Sequence, residues 1–591
     1  MIDPVSQGAI AAYLLLAGLL TLVAGAVLLA LYRRAVRRWM GLAGPPPVAV
    51  PLAALAATAG PALPLADASD RPAPHRFRSA TFSGAVGAFR RAAIVYALAG
   101  FAHAATATAL QILFGQFEFL PIRASVVFWA NAWPVTLTLV LLWGADRRRQ
   151  ALTVIAHFVV LAALALTVAL GPTPPLALSA VPSLGTPEPG LEGLARAAEG
   201  IVVPPFAQPL LVWLMYALPT AYLLLFLNRH VRSIGPLLLV FMVIAATGAH
   251  LATVALSARP EWFAAASMLT GAPVELWVYG FPLLGMIVFA VPGWLVIRWI
   301  GRRYQRKQFS DQSFVFDGIW LFSTLLLCQT LIQDVGYAGW AGLLAFLAWK
   351  LVCLAGLSPL VRRATARPPA QLLLLRVFGF QRRTQRLFSV LSTRWRYAGP
   401  IQLIAAPDLA TANIEPGEFL DFLSGRLRRA FIRNEGDLDR RFAEIDRRPD
   451  PDGRYRVNEF FCAGDIWRRA VVRLMGDAHL VAMDLRGFTP ANQGCLFEIQ
   501  TLAATVPAAR TAFLVDKTTD LDLLRRALAS APPRLDASAP DAGAIQMPHL
   551  LPTGGPDRKA VRALLHLADE ALAGSAAAAG GVRPAAASTV P

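Results

Sequence analysis

One glutamate, Glu498, stands out as the residue of this chain best placed to do chemistry. It closes the motif Cys495-Leu496-Phe497-Glu498, which follows an apolar run over residues 479–485. The run predicts a buried strand and residues 493–505 predict a helix, so Glu498 should lie near the start of that helix. Ligands of open α/β sheets bind at the carboxyl ends of the strands. A carboxylate there can act as a nucleophile or stabilise a cation, and we expect the helix dipole to favour its ionised form.

Other polar or aromatic residues in the loops after predicted strands are candidate substrate-binding groups. They are Phe380, Arg382, Arg383, Asp408, Asp484, Arg486 and Asn492. An aromatic ring can stack on a base, and a guanidinium group can bind phosphate with two hydrogen bonds. A second interpretation of Arg382 and Arg383 stays open: they could form a solvated helix start or contact anionic lipid headgroups.

The spacing of the cysteines does not indicate a metal centre. Cys328, Cys353, Cys462 and Cys495 form no Cys-x-x-Cys pair and have no histidines at zinc-ligand spacing. Asp450-x-Asp452-Gly453 lacks the glutamate that a calcium loop requires, so it predicts a turn. We therefore expect neither a metal nor a cofactor.

Residues 368–575 alternate short apolar runs with amphipathic segments. Strands are predicted at 372–378, 401–405, 455–461, 479–485 and 511–516, and helices at 384–395, 416–432, 437–447, 465–476, 493–505, 520–530 and 557–573. Alternating strands and helices of this size indicate an α/β domain with an open, mostly parallel sheet. The Ala- and Gly-rich residues 576–591 predict a disordered tail.

The remaining residues, 1–363, predict an α-helical polytopic membrane region. The chain has 591 residues, of which 56% are hydrophobic and 16% are charged, and an uncharged apolar run of about 20 residues matches the bilayer core. About nine spans are predicted. They cover residues 10–32, 92–114, 124–143, 151–170, 207–227, 235–255, 276–299, 315–333 and 338–357.

The arginines between the spans predict the orientation. They concentrate in alternate connections, which predicts an N-terminus outside and a C-terminal domain in the cytoplasm, beneath the cell (inner) membrane. Two Pro-rich loops interrupt the spans, a cytoplasmic one at 41–88 and an outer one at 171–206. The same bias explains the formal charge of +18, so we expect no nucleic-acid partner.

Several residues of the predicted domain resemble those of known families. Asp465-Ile466-Trp467 at a helix start, the strand HLVAMDL and Gly494-Cys495-Leu496-Phe497-Glu498 look like a TIR-type domain. The last stretch also resembles nucleoside 2-deoxyribosyltransferases. Both resemblances cover about residues 370–530 and imply a flavodoxin-type fold. They imply that Glu498 attacks or stabilises an anomeric carbon as nicotinamide or another nitrogen heterocycle leaves.

Three functions therefore remain open. The first is a membrane-anchored effector that hydrolyses or transfers the N-glycosidic bond of NAD or a nucleotide, activated by homo-oligomeric clustering in the bilayer. The second is a non-catalytic nucleotide-sensing or signalling module. The third is a transporter with a regulatory domain, for which the candidates are the ionisable residues within spans: His103, His157, His250, Glu275 and Lys350.

Overall fold

The computed structural model describes most of the chain. The described residues are 23–39, 80–115, 120–144, 146–170, 204, 207, 235–376, 381–404, 416–463, 466–532, 549–552 and 557–580. By their contacts they form two units. The first holds those within 1–33, 93–357 and 413–424, and the second those within 34–92, 358–412 and 425–591.

Long apolar helices dominate the first unit and the segments that lead into it. The helices are α1 (Ala80–Leu113), α2 (Pro121–Trp143), α3 (Arg147–Leu170), α4 (Gly235–Ala258), α5 (Pro260–Thr270), α6 (Val274–Gln305), α7 (Asp311–Val335) and α8 (Leu343–Thr365). Among the described residues, five helical stretches are long and apolar enough to cross a membrane. They lie in α1, α2, α6, α7 and the segment that ends with α8.

The other predicted spans agree with the structure to different extents. Those at 151–170 and 235–255 are helical throughout, in α3 and α4. The span at 10–32 lies only partly within the described residues, and the span at 207–227 lies almost entirely outside them. The linker predicted over 41–88 ends in helix, because α1 already begins at Ala80.

Polar side chains within the first unit bind one another. His103 Nε2 lies 2.8 Å from Thr324 Oγ1, and His157 Nδ1 lies 3.0 Å from Thr136 Oγ1. Lys350, one of the ionisable residues considered for a transporter, places its Nζ 2.7 Å from Asp317 Oδ2. Asp317 was not among the residues predicted from the sequence. These contacts make the polar groups structural partners of neighbouring helices.

The second unit is built on a seven-stranded sheet in which every described pairing is parallel. Its strands are β1 (Leu372–Arg376), β2 (Ile401–Ile404), β3 (Phe431–Ile432), β4 (Val457–Cys462), β5 (Leu480–Asp484), β6 (Thr511–Val515) and β7 (His549–Pro552). The order is β3-β4-β2-β1-β5-β6-β7. The prediction of an open parallel sheet is confirmed, although β3 and β7 were not predicted.

Helices connect these strands. They are α9 (Gln381–Trp395), α10 (Pro416–Leu423), α11 (Glu435–Ala443), α12 (Ile466–Asp477), α13 (Gln493–Thr505), α14 (Leu521–Ala529) and α15 (Asp557–Gly580). Leucine, valine and phenylalanine side chains from β1, β5, β6, α12, α13 and α14 form one buried core, including Leu373, Val481, Phe513, Leu474 and Leu502. The core fixes the helix that carries Glu498 against the sheet.

The prediction of one helix over 416–432 is wrong. α10 ends at Leu423, and Gly425 then adopts a φ of +70°, which favours glycine and ends the helix. A 3₁₀ turn over Leu427–Ala430 leads directly into β3. α10 belongs to the first unit, where the hydroxyl of Tyr32 donates to Glu418 Oε2 at 3.1 Å.

Two further boundaries differ from the prediction. α11 begins at Glu435 because Asn434 caps it, its side chain accepting from the backbone N–H of Asp437 at 2.8 Å. α15 continues to Gly580, so the first residues of the expected tail are helical. Alanine has the highest helix propensity, which explains that extension. Residues 581–591 lie outside the described part of the chain.

Candidate functional site

Glu498 lies on the side of α13 that faces the sheet. α13 begins at Gln493, as predicted, and buries Cys495, Leu496, Glu498, Ile499 and Leu502. Helical residues three or four apart share a face, so Glu498 shares the buried face with Cys495 and Leu502. Its side chain is only 3% exposed. A carboxyl group thus occupies a position where the pattern of α13 would place an aliphatic residue.

Burial changes the protonation of this carboxyl group. Desolvation raises the pKa of Glu498 to about 8, and the positive charge of Arg376 offsets part of that rise. Oε2 of Glu498 has no hydrogen-bond partner among the described residues. The expectation that the helix dipole favours the ionised form is wrong, because Glu498 lies in the second turn and desolvation is the larger effect.

Arg376 is the positively charged residue that acts on the Glu498 carboxyl group among the described residues. It ends β1, is 6% exposed, and pairs in register with Asp484 at the end of β5. The thiol of Cys495 donates to the backbone oxygen of Arg376, with 3.8 Å between the atoms, which joins α13 to β1. Sequence reasoning missed Arg376, although an arginine in an otherwise aliphatic strand was the available signal.

Asp484 and Arg486, both expected to bind substrate, bind each other. Nε and Nη2 of Arg486 donate to the two carboxylate oxygens of Asp484, each at 2.7 Å. Nη1 of Arg486 lies 3.2 Å from Oδ1 of Asp557 at the start of α15. Asp484 is 3% exposed and Arg486 is 7% exposed. The three groups form a buried ion-pair network that holds the β5–α13 loop to α15.

Asn492 closes the same loop. Its Oδ1 accepts hydrogen bonds from the backbone N–H and the hydroxyl of Thr489, at 2.8 Å and 3.1 Å. The backbone N–H of Cys495 donates to the backbone oxygen of Asn492 at 3.0 Å, which starts α13. Asn492 therefore positions the helix of Glu498 through the loop, and its carboxamide oxygen is already occupied.

The other predicted binding residues are only partly described. Phe380 and Asp408 lie outside the described residues. Arg382 and Arg383 belong to the first turn of α9, and the structure describes their backbone but not their side chains. The loops that carry Phe380 and Asp408 follow β1 and β2, whose carboxyl ends lie at the same edge of the sheet as Glu498.

A cluster of two rings and a guanidinium group joins the start of α12 to α13. The rings of Trp467 and Phe497 meet edge to face with centroids 5.4 Å apart. The guanidinium carbon of Arg468 lies 5.6 Å from the Trp467 centroid and 5.4 Å from the Phe497 centroid. All three side chains are half-buried. Sequence reasoning did not identify Arg468 or the ring pair.

The described residues hold no group of three or more His, Cys, Asp or Glu side chains suited to a metal ion. The Cys462 thiol, at the end of β4, has its pKa raised to about 12 by burial, so it remains a neutral thiol.

Comparisons of the chain with protein-family models, with curated proteins and with solved structures find no match.

Proposed function

We propose that the second unit is a nucleotide-binding module that cleaves an N-glycosidic bond, with Glu498 as the catalytic carboxylate. The observation that carries this proposal is the buried Glu498 carboxyl group, whose Oε2 has no hydrogen-bond partner among the described residues. Leaving a buried polar atom unpaired costs roughly 1–3 kcal/mol, so such a group suggests a functional requirement. The resemblance of Cys495-Leu496-Phe497-Glu498 to TIR-type domains supplies the substrate class, NAD or a related nucleotide.

The reaction would break the bond between the anomeric carbon of the ribose and the pyridinium nitrogen. The bonding electrons pass to nicotinamide, which leaves as a neutral ring, and the Glu498 carboxylate stabilises or bonds the cationic anomeric carbon. Water then supplies the hydroxyl group of the product. The balanced reaction converts NAD⁺ and water into ADP-ribose, nicotinamide and one proton.

The pKa of Glu498 fits a site that ionises when a cationic substrate arrives. With a pKa of about 8, the carboxyl group of the free protein is mostly protonated at neutral pH. A positively charged nicotinamide ribosyl group beside it would favour the carboxylate and expel the proton. The carboxylate would thus form mainly in the complex.

We place this module on a polytopic membrane anchor. The five long apolar helices support membrane association. The proposed arrangement has about nine spans, an outer N-terminus and a cytoplasmic sheet domain beneath the inner membrane, as the distribution of arginines predicts. Clustering of several copies in the bilayer would then regulate turnover.

A sensing role without turnover is the second candidate. The half-buried cluster of Trp467, Phe497 and Arg468 favours it, because aromatic rings and guanidinium planes stack on nucleobases. In that case the nucleotide would bind and alter the module, while Glu498 would only position a ligand.

Nicotinamide release by the full-length protein tests the two candidates. The full chain is required because α10, inserted between β2 and β3, belongs to the first unit. Wild-type protein, Glu498→Gln and Glu444→Gln would be incubated with NAD in lipid nanodiscs. Glu444 is a matched control because its carboxylate is exposed on the surface.

Release by wild type and by Glu444→Gln, with a loss of about 10³-fold or more in Glu498→Gln, is the result expected of an enzyme. Saturable nucleotide binding without release in any variant would favour the sensor. Equal release by wild type and Glu498→Gln would contradict the role given to Glu498.

A further inference from the structure

An arginine-lined cavity of about 590 Å³ lies within the second unit, away from Glu498. Its walls come from the first turns of α1, the end of α8, and the residues that precede β1, β2 and β4. Those last residues include Pro368, Ala398 and Tyr455. Because the strands are parallel, they mark the amino-terminal edge of the sheet, whereas Arg376 and Glu498 lie at the carboxyl-terminal edge.

Three arginines give this cavity its charge. Arg91 of α1 and Arg363 and Arg367, from the end of α8 and the residues after it, line the wall, which contains no acidic side chain. Among the described residues, these guanidinium groups make no ion pair or hydrogen bond. Arg91 is half-buried, and Arg363 and Arg367 are exposed. An anion that binds between these like charges would be stabilised by all three.

Small residues on α1 create the space. Ala80, Gly84, Gly87 and Ala88 recur at helical spacing along the cavity wall. A Cβ on Gly87 would meet no atom within 4 Å, and a Cβ on Gly84 would lie 3.0 Å from Nη1 of Arg367. Gly84 therefore permits the close approach of the Arg367 guanidinium group, and Gly87 faces open volume.

The N-terminus of α1 is not itself the binding group. The backbone N–H of Thr81 already donates to both carboxylate oxygens of Asp569 at 3.1 Å. The cavity is also anchored to the sheet, since the hydroxyl of Tyr455 donates to the backbone oxygen of Ala364 at 3.0 Å. A ligand would thus contact α1, α8 and the sheet edge at once.

We propose that this cavity binds a phosphate group through Arg91, Arg363 and Arg367. Guanidinium groups match phosphate geometry, and the volume falls within the range of small-ligand sites. The phosphate belongs either to an anionic lipid headgroup or to a soluble phosphorylated compound. α1 and α8 contribute to candidate membrane spans. Lipid headgroups are therefore tested first.

Binding would be measured on the full-length protein in two arms. In the first, native mass spectrometry counts phosphatidylglycerol and phosphatidylcholine retained from mixed nanodiscs. In the second, thermal unfolding is followed while pyrophosphate is added to protein in phosphatidylcholine nanodiscs. The variants are Arg91→Gln, Arg363→Gln, Arg367→Gln and Gly87→Phe, which fills the cavity without changing its charge.

The chain offers matched controls. Arg90→Gln and Arg362→Gln remove the same charge from the neighbouring positions, and neither residue lines the cavity. We expect each cavity arginine variant to lose about tenfold or more in affinity, with little change in the controls. Gly87→Phe should lose binding although all three arginines remain.

Each outcome has a defined meaning. Selective retention of phosphatidylglycerol that the cavity variants lose supports the proposal with a lipid source, and stabilisation by pyrophosphate that they lose supports a soluble source. Binding in neither arm overturns the proposal. Equal losses in the Arg90 and Arg362 controls also overturn it, because they would indicate a general surface charge effect.

Discussion

Two buried carboxyl groups at the same edge of the sheet differ in their hydrogen-bond partners. Asp484 and Glu498 are each 3% exposed. Asp484 receives two hydrogen bonds from Arg486 at 2.7 Å. Glu498 has no hydrogen-bond partner at Oε2 among the described residues, and its pKa is raised to about 8. Pairing, rather than burial, separates the two residues.

This difference in pairing predicts a structural role for Asp484 and a chemical role for Glu498. A paired carboxylate is neutralised by its partner and holds elements together, as Asp484 does for the β5–α13 loop. An unpaired one keeps the capacity to bind or react, at a cost in folding free energy. Position after a parallel strand made both residues candidates, and only their contacts distinguish them.

The largest expected effect is on the paired carboxylate. Asp484→Ala leaves Arg486 buried without its main counter-charge, and should lower the free energy of unfolding by about 3–5 kcal/mol. Glu498→Gln replaces a protonated acid by an amide of similar shape, and should change it by less than about 1 kcal/mol at pH 4, where Glu498 is protonated in both the folded and the unfolded state. Denaturant unfolding of both variants measures the contrast.

The double variant Asp484→Leu, Arg486→Met provides the control for that prediction. Because it removes both charges, it should be less destabilised than the sum of the two single variants. Additive losses would mean that the pair contributes no coupling energy and would break the comparison.

The second prediction concerns pH. The folded pKa of Glu498, about 8, lies above the value of about 4.3 for an unfolded chain. The folded state therefore keeps a proton that the unfolded state loses, so this stabilising contribution is fully present below about pH 4. It should fall by about 1.4 kcal/mol per pH unit between those pKa values and be lost above pH 8.

Measuring the unfolding free energy of wild type and Glu498→Gln across pH 4–9 isolates that contribution. The unfolding free energy of wild type minus that of Glu498→Gln should decline as pH rises. A difference that stays constant over this range would show that Glu498 does not retain its proton on folding.

The third prediction tests the cation at the site. Arg376→Met removes the charge that lowers the pKa of Glu498, so the pKa should rise further. The midpoint of the pH-dependent stability difference reports the shift. Arg486→Met serves as the comparison, because Arg486 bonds to Asp484. A larger shift from Arg486→Met than from Arg376→Met would reverse the assignment.

The smallest effect is expected in the loop between the two carboxyl groups. Asn492→Ala removes the acceptor for two hydrogen bonds from Thr489, and should cost about 1 kcal/mol of unfolding free energy. The pKa of Glu498 should stay unchanged, because the core contacts of α13 hold its helix. Asn492→Asp retains the acceptor and should recover most of the lost stability.

The sequence predicted the parallel sheet and the start of α13 because both follow from local patterns. Apolar runs fix β1, β5 and β6, and the first and last residues of α13 agree with the prediction. β3 and β7 were missed because a strand as short as Phe431–Ile432 carries no periodicity, and its pairing with β4 is a tertiary property.

The candidate site was harder to predict because its chemistry depends on long-range contacts. Nothing local shows that Arg486 would turn back to Asp484 and also reach Asp557, far along the chain. The sequence predicted that Glu498 would favour its ionised form, whereas its pKa is raised. A helix dipole can be predicted from sequence, but desolvation depends on the packing around the side chain. The signals that existed were Arg376 and Glu498, charged residues within otherwise apolar segments.

The most direct test of this account is the titration of Glu498 itself. Infrared difference spectra of full-length wild type and Glu498→Gln, recorded from pH 4 to pH 10, would isolate the carboxyl band of this residue. The account predicts a protonated carboxyl band that persists at pH 7 and disappears with a midpoint near pH 8. A midpoint near the ordinary glutamate value of about 4.3 would contradict it, because Glu498 would then be a solvated or paired carboxylate like any other.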